Sequence, residues 1–402
     1  MNLGDSAKKP LHICYVLPPV ERYSPQIGGA ISTFTMQQGR RLAARGHRIS
    51  VVAPHDSEVP YDVGEFVPLL GVTRDSLSPL QRAISTRVVR RLRGSGWLYL
   101  EYYLRALKKT LPRVQPDVVV CFNDWHTPLV AGDVLPNSRV FLRLSNECTT
   151  YFTDVNRTIE RCETIWALSS YIADWTREHF PASAPKLKLL PNGADLDTFS
   201  PSSDFLARAQ ESASPLKCLF ISRIHRDKGP DLAADAVLAL RDKGCNVTLN
   251  VAGNIWFDKG SQTPPIVLEI KEKTERAGGQ WLGHVERADV PQLVREHDVL
   301  LFPIRWAEPM SQVVFEAMAS GLAVISCPLG GVPEACGDAA LWAKPNDASS
   351  VAEQLERLYN DRTLLAVMKQ KSIARAKEMT WERNTRLFAE QLEGGDANCP
   401  PT

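Results

Sequence analysis

Short apolar runs alternate along the chain with longer segments in which apolar residues recur every three or four positions. Runs such as 11–17 and 116–122 are almost continuously apolar, as is typical of strands buried on both faces of a parallel sheet. Segments such as 30–45 and 230–243 have helical spacing and are followed by a glycine. The alternation occurs in two successive sets. It therefore predicts an α/β protein with two doubly wound, Rossmann-like domains that face each other across a cleft.

The length of the chain also favours two domains, because 402 residues exceed what a single hydrophobic core usually organises. We predict an N-terminal Rossmann-like domain over residues 1–198 and a C-terminal one over residues 199–378. Residues 379–402 are predicted to form a terminal helix and a tail. A linker is predicted over residues 200–215, which are rich in Ser, Ala and Pro, and a long helix is predicted over residues 351–380.

Composition narrows the class of protein. Hydrophobic residues make up 44% of the chain and charged residues 23%, which is typical of a globular protein, and the net charge of +1 does not indicate nucleic-acid binding. The nine cysteines show no CxxC pair, so buried, reduced thiols and a cytoplasmic location are expected. The N-terminal residues lack an apolar signal core, and no apolar run reaches about eighteen residues. Neither secretion nor a membrane-spanning helix is predicted.

A basic segment lies between residues 81 and 113, where the only acidic residue is Glu101. Its nine basic residues are Arg82, Arg87, Arg90, Arg91, Arg93, Arg105, Lys108, Lys109 and Arg113. The leucines at positions 100, 104, 107 and 111 share one helical face, so the second half is predicted to be an amphipathic helix. The basic side is either a solvated face or a surface for anionic lipid or a phosphorylated acceptor. A peripheral contact with the inner face of a membrane through residues 82–113 thus stays open.

The densest set of signals lies between residues 305 and 338. Pro309 suits the first turn of a helix and Ser311 is a candidate N-cap, so a helix is predicted over residues 312–319. Glu308 precedes this helix and Glu316 lies within it. Carboxylates eight residues apart on one helix would be separated by roughly 12 Å, which is too far to share a proton. Between them, the free N–H groups of the first turn form an anion site, and this combination suits a sugar nucleotide.

The same segment resembles the signature of retaining glycosyltransferases with the GT-B fold, in particular glycosyltransferase family 4 of the group 1 type. The resemblance is carried by Glu308, seven residues and Glu316, followed by AMASG and GGVPE. It implies a nucleoside diphosphate-sugar donor, with Glu308 at the hydroxyls of the sugar and Glu316 at the ribose. The amides near Ser311 and Gln312 would then meet phosphate. The alternative is that both are ordinary glutamates in and beside a helix.

Two further loops match the family. Arg223 and Lys228 resemble the Arg and Lys of its loop after the first strand of the second domain, where a planar fork and a point charge suit a diphosphate. With Glu308, they are the predicted catalytic residues; a surface pair is the alternative. Gly28 and Gly29 match the Gly-Gly loop that faces the donor phosphates and the acceptor, although a tight turn would need the same residues.

The candidate acceptor side lies at the ends of two predicted strands in the first domain. His126 follows the strand ending near residue 122, and Ser145 and Asn146 follow the strand over 140–144. Ligands of open α/β sheets gather at such carboxyl ends. The family normally has a histidine near the reacting sugar where this chain has Ser145. His126 either compensates from the neighbouring strand or is structural.

The resemblance implies transfer with retention of the anomeric configuration to a hydroxyl acceptor, which is a saccharide, a lipid-linked molecule or a small molecule. It implies no metal ion and no cofactor, and the terminal helix from residue 379 onward would cross back to the first domain. Two alternatives stay open. One is a non-catalytic scaffold that binds a sugar nucleotide, suggested by Ser145, and the other is a sugar phosphorylase on the same fold.

Overall fold

A computed structural model of the chain describes residues 9–72, 98–148, 154–211, 213–255 and 264–392. The chain divides into two compact units. Unit 1 consists of Met1–Pro191 together with Glu382–Thr402, and unit 2 consists of Asn192–Trp381. The second unit is thus inserted between two segments of the first.

Unit 1 is built on a sheet of seven parallel strands in the order β3-β2-β1-β4-β5-β6-β7. The strands are β1 (His12–Val16), β2 (Arg48–Pro54), β3 (Glu65–Leu69), β4 (Val118–Phe122), β5 (Arg139–Leu144), β6 (Thr164–Ala167) and β7 (Leu187–Leu189). Every residue of β4 is buried. The continuous apolar run VVVCF suits this position, because a central parallel strand is covered on both faces.

Helices pack on this sheet and complete the doubly wound arrangement. They are α1 (Ala30–Ala44), α2 (Leu98–Val114), α3 (Thr127–Val134), α4 (Val155–Arg161) and α5 (Ser170–His179). The predicted strands and helices of this unit are found within a few residues of their expected ends. Strand β3 and the short helices α3 and α4 were not predicted. Strand β3 is an edge strand with only Leu69 buried, and Pro68 lies inside its short apolar run, which argues against a strand.

The amphipathic helix predicted in the basic segment is α2. Its residues Leu100, Tyr103, Leu107 and Leu111 belong to the buried core of unit 1, whereas Arg105, Lys108 and Lys109 are exposed. Because the fold covers the apolar face, that face is not available to lipid. The basic residues Arg82, Arg87, Arg90, Arg91 and Arg93 lie outside the described residues.

Unit 2 contains six parallel strands in the order β10-β9-β8-β11-β12-β13. They are β8 (Leu216–Ile221), β9 (Val247–Ala252), β10 (Trp281–Gly283), β11 (Val299–Phe302), β12 (Ala323–Ser326) and β13 (Ala340–Trp342). The helices are α6 (Phe205–Gln210), α7 (Pro230–Asp242), α8 (Pro265–Arg276), α9 (Val290–Arg295), α10 (Gln312–Ala319), α11 (Val332–Cys336), α12 (Ala348–Asn360) and α13 (Arg362–Glu378). The predicted α/β class with two Rossmann-like sheets is therefore confirmed.

Two predicted segments differ from the structure. The segment 200–215, expected to be a linker, contains helix α6. The long helix expected over residues 351–380 is two helices, α12 and α13. Asp361 separates them, because its extended backbone ends one helix while its side chain accepts a hydrogen bond from the N–H of Leu364 and caps the next.

The last helix, α14 (Trp381–Leu392), joins the chain's end to unit 1. Asn384 accepts a hydrogen bond from Gln38 at 2.7 Å and donates one to the carbonyl of Pro191 at 2.6 Å. Just before it, Thr380 forms a parallel bridge with Ala194, and the N–H of Ala194 lies 2.6 Å from the carbonyl of Met379. The two ends of unit 2 are therefore hydrogen-bonded side by side.

The eight cysteines in the described part of the chain are all free thiols, and seven of them are buried. Burial raises the pKa of Cys14 and of Cys336, each to about 12. Such thiols stay protonated at neutral pH and act as small apolar residues. Among the described helices, none combines the length and the apolar character needed to cross a bilayer.

Candidate active site

Lys228 is the central cation of the candidate site in unit 2. It ends a short 3-10 helix, Arg226–Lys228, just beyond the carboxyl end of β8, and only 7% of its surface is exposed. Its ammonium group contacts Glu308 Oε2 and lies 4.9 Å from the centroid of the Trp306 ring. Burial lowers the pKa of Lys228, although the Glu308 carboxylate acts in the opposite direction. The structure thus brings together two of the three residues predicted to be catalytic.

Arg223 lies on the same loop as Lys228. It follows β8 directly, its side chain is exposed, and its positive charge contributes to the lowered pKa of Lys228. Glu308 occupies the loop between β11 and α10, where its carbonyl accepts the N–H of Gly331 at 2.8 Å. All three predicted groups therefore lie at the carboxyl ends of two neighbouring strands, β8 and β11, where ligands of such sheets bind.

The N-terminus of helix α10 lies just after Glu308. Ser311 is the N-cap as predicted, but its side chain makes no capping hydrogen bond. The amide of Gln312 donates to the carbonyl of Gly193 at 3.0 Å, so this side chain fixes the start of the helix. Because the Ser311 side chain does not cap the first turn of α10, it leaves the N–H groups at the anion-binding end of the helix dipole free of this contact.

Glu316 lies one turn into α10 and is 3% exposed. Arg287, in the loop after β10, donates from Nη2 to Glu316 Oε1 at 2.6 Å. The guanidinium carbon of Arg287 also lies 5.3 Å from the ring centroid of Phe199. Sequence reasoning missed Arg287, since no local pattern links it to a carboxylate 29 residues further along the chain.

The Gly-Gly loop of unit 1 surrounds a carboxylate of the chain itself. Glu21 Oε1 accepts the N–H of Gly29 at 2.6 Å and that of Ser32 at 3.0 Å, at the start of helix α1. Burial raises the pKa of Glu21 to about 7, although both N–H groups favour the charged form. A β-carbon on Gly28 would lie 2.3 Å from the carbonyl oxygen of Ser24, so the loop needs glycine there. Sequence reasoning predicted the glycines as ligand-binding but missed Glu21.

The candidate acceptor residues follow β4 and β5, which are adjacent in the sheet. His126 is half-buried, its N–H donates to Asp124 Oδ1 at 2.8 Å, and its Nδ1 lies 3.9 Å from the same oxygen. Burial lowers the pKa of His126, while the nearby Asp124 charge opposes this. Asn146 is exposed at the end of β5.

Ser145 is bound to an arginine that sequence reasoning did not single out. Arg143 is 1% exposed, packs 3.9 Å from the ring centroid of Phe34 and donates from Nη1 to Ser145 Oγ. Burial lowers the pKa of Arg143 to about 9. Because a guanidinium group only donates, Ser145 Oγ is the acceptor in this contact and keeps its own hydrogen for another partner.

Gly229 fixes the backbone that carries Lys228. Its φ is +75°, and a β-carbon there would lie 2.0 Å from the carbonyl oxygen of Pro303. We expect Gly229→Ala to lower the free energy of unfolding by more than the about 1–2 kcal/mol that a left-handed backbone alone costs. Gly244→Ala is the matched control, because its φ is +81° and nothing lies within 4 Å. Chemical denaturation measures the free energy of unfolding of both variants. Equal losses in Gly229→Ala and Gly244→Ala would contradict the steric argument.

Comparison with known proteins identifies the family of the chain. The profile of a family described as "Glycosyl transferases group 1" matches residues 204–375, and that of "Glycosyltransferase Family 4" matches residues 27–198. The chain is 24% identical to the putative glycosyltransferase YtcC of Bacillus subtilis over 68% of this chain and 72% of that protein. It is 26% identical to the D-inositol 3-phosphate glycosyltransferase of Pseudarthrobacter chlorophenolicus, over 53% of this chain and 51% of that one. For several such relatives, the match spans about half of their length.

Solved structures share the fold. The sucrose-phosphate synthase of Thermosynechococcus elongatus has a TM-score of 0.73 at 16% identity and covers 95% of this chain and 98% of its own. Anabaena HepE, crystallised in complex with UDP and glucose, has a TM-score of 0.68 at 16% identity, with 95% and 99% covered. At these identities the likeness concerns the fold alone, which is GT-B.

Proposed function

Because the chain belongs to the group 1, family 4 glycosyltransferases, we propose that it transfers a sugar from a nucleoside diphosphate-sugar to a hydroxyl acceptor, with retention of configuration. The observation that carries the proposal is the buried pair of Lys228 and Glu308 beside Arg223. A cation for the diphosphate and a carboxylate for sugar hydroxyls lie in contact, at the strand ends where this fold binds ligands.

Different groups of unit 2 would bind the different parts of the donor. The ribose hydroxyls bind Glu316, whose Oε1 also accepts a hydrogen bond from Arg287. The phosphates bind Lys228, Arg223 and the first-turn amides of helix α10. The donor sugar reaches Glu308. The names of similar proteins support a nucleotide-sugar, since HepE was crystallised with UDP and glucose.

In the reaction, the bond between the anomeric carbon and the diphosphate oxygen breaks, and its electron pair leaves with the nucleoside diphosphate. The acceptor oxygen forms the new bond on the face that the diphosphate leaves, and a phosphate oxygen takes the acceptor's proton. Fixed positive groups lower the barrier because they stabilise charge that develops on the leaving group. We propose that Arg223, Lys228 and the amides of α10 supply this stabilisation without a metal ion.

Glu316→Ala tests the donor site. We expect this substitution to weaken nucleotide binding about 10- to 100-fold, the value of a charged hydrogen bond to a ribose hydroxyl. Arg287 would stay solvated, because 43% of its side chain is exposed, so the fold should persist. Calorimetry with UDP, GDP and ADP measures the affinity and also identifies the base. The control is Glu353→Ala, which removes an exposed carboxylate from α12.

Two results would count against the proposal. If Glu316→Ala and the wild-type protein bind the nucleotide with equal affinity, Glu316 does not bind the ribose. Tight binding of a nucleotide-sugar with neither hydrolysis nor transfer, over a panel of donors and acceptors, would instead indicate a binding scaffold.

A further inference from the structure

Glu21 is a buried carboxylate to which the donor chemistry assigns no role. It follows β1, is 8% exposed, and is held through Oε1 by the N–H groups of Gly29 and Ser32. Among the described residues, its second oxygen, Oε2, accepts no hydrogen bond. A carboxylate is fixed in orientation by these two donors and keeps one oxygen for a ligand.

A second group at the same loop lacks a partner. The side chain of Ser32 is fully buried, and its Oγ makes no hydrogen bond within the described structure. Its Oγ would lie 2.5 Å from a β-carbon on Gly28, so the hydroxyl faces the glycine loop. Buried polar atoms are usually satisfied, so the glycine loop holds a hydrogen-bonding group that the described residues leave unused.

The rim of this loop is apolar. Val20 and Ile27, which flank Glu21 and Gly28, are 64% and 57% exposed. The loop after β2 is joined to this one, because Arg22 pairs with Asp56 at 2.9 Å.

Two further exposed apolar residues extend the rim: Val59 in that second loop and Leu70 after β3, at 64% and 68% exposed. Strands β3, β2 and β1 are neighbours, so the loops that carry these four residues follow the carboxyl ends of adjacent strands.

We propose that Glu21 binds, through Oε2, an acceptor hydroxyl next to the one that reacts, and that the acceptor carries these hydroxyls on an apolar body, which contacts Val20 and Ile27. This inference rests on the proposed function and specifies its acceptor. The Glu21 carboxylate accepts the hydrogen of this neighbouring hydroxyl and so orients the acceptor, while the reacting hydroxyl keeps its own hydrogen for transfer to a phosphate oxygen. The apolar rim favours an acceptor with alkyl or aryl surface over a simple sugar, since burying that surface is favourable.

The test compares acceptors that differ only in the apolar body. Octyl glycosides and the matching methyl glycosides of glucose, galactose and mannose are offered with the nucleotide-sugar that calorimetry selects. For the wild-type protein, we expect kcat/KM at least about 10-fold higher for the octyl acceptor, given the gain per buried methylene. Val20→Ser combined with Ile27→Ser is expected to bring this preference close to one.

Glu21→Gln tests the hydroxyl contact. Gln retains a carbonyl oxygen for the N–H groups of Gly29 and Ser32 but places a donor where Oε2 was. We expect acceptor kcat/KM to fall about 100-fold, as is usual when a reactant is no longer held in its reactive orientation, while the Kd for the nucleotide is unchanged. Glu65→Gln, at the exposed amino end of β3, is the control and should behave as the wild-type protein.

The outcomes separate cleanly. Wild-type acceptor kinetics in Glu21→Gln would overturn the role of Glu21, and equal rates with octyl and methyl acceptors would overturn the apolar body. If Glu21→Gln unfolds, Glu21→Asp, which keeps the charge but shortens the side chain, tests the hydroxyl contact by the same kinetics, and wild-type kinetics in that variant would overturn it. The octyl preference and its loss in the Val20, Ile27 variant test the apolar body independently. Absence of any nucleotide binding would overturn the proposed function instead.

Discussion

Replacing Lys228 by alanine is expected to lower the rate of sugar transfer by about 10²–10³-fold, the usual effect of removing one preorganised group that stabilises developing charge. Lys228 is the buried cation of the donor site and contacts Glu308. The substitution should lower kcat more than it lowers nucleotide affinity, because charge on the leaving diphosphate grows as the bond to the sugar breaks. Steady-state kinetics with saturating donor, together with calorimetry of the nucleotide, measure the two effects.

Lys228→Ala can slow transfer in two ways, by removing the cation that stabilises the leaving group and by displacing Glu308. Lys228→Ala leaves the Glu308 carboxylate buried without its cation, so the single variant overstates the value of Lys228. A double-mutant cycle with Glu308→Ala measures the coupling. Lys243→Ala is the control, since Lys243 is an exposed lysine that pairs with Glu356 at 2.7 Å. Transfer within about threefold of the wild-type rate in Lys228→Ala would exclude the proposed role of this residue.

Replacing Lys369 by alanine is expected to lower the free energy of unfolding of unit 2 by about 3–5 kcal/mol, as is typical when one partner of a buried ion pair is removed. Lys369 is fully buried in α13, and its Nζ lies 2.8 Å from Asp298 Oδ1. Burial lowers the pKa of Lys369, while Asp298 raises it. The substitution leaves the Asp298 carboxylate without this cation. Urea denaturation, followed by a probe in unit 2, gives the loss of stability.

Asp298 lies at the amino end of β11, whereas the loop that bears Glu308 begins at the carboxyl end of the same strand. Nucleotide affinity at low temperature should therefore be close to the wild-type value in Lys369→Ala. For comparison, removal of the exposed Lys243 should cost less than about 1 kcal/mol. A loss of the same small size for Lys369 would show that the buried pair contributes nothing beyond a surface pair.

Strands buried on both faces could be predicted from the sequence because they have no polar face to interrupt the apolar run. Strand β4 is the clearest example, as all its residues are buried. Strand β3 was missed because it lies at the edge of the sheet and four of its five residues are not buried. The break at Asp361 had a local signal, a capping carboxylate followed by a new helix, but the apolar spacing continues across it.

In the candidate site, too, some residues could be predicted from the sequence and others could not. Arg223, Lys228 and Glu308 were predicted because their loops resemble those of the family, and Glu316 because of its spacing from Glu308. The structure places the first three after the carboxyl ends of β8 and β11, and Glu316 within α10. Their partners were not predicted. Arg287 and Glu316 are 29 residues apart, so their contact depends on the tertiary fold. Arg143 and Ser145 are two residues apart, but their contact depends on the side-chain conformation of a buried arginine. Glu21 was eight residues from Gly29, yet no spacing rule connects a carboxylate with the amides of a helix that begins after it.

The side-by-side ends of unit 2, where Ala194 bridges Thr380, bear on how this protein can be recombined. Residues 192–381 leave and rejoin the rest of the chain at nearly one point, so they form a cassette with two adjacent junctions. Unit 1, in contrast, is assembled from two separate pieces, and a fragment that stops at residue 191 would lack the helix that hydrogen-bonds Gln38 and Pro191. Chimaeras between relatives should therefore exchange the cassette at both junctions, because a single crossover would divide unit 1.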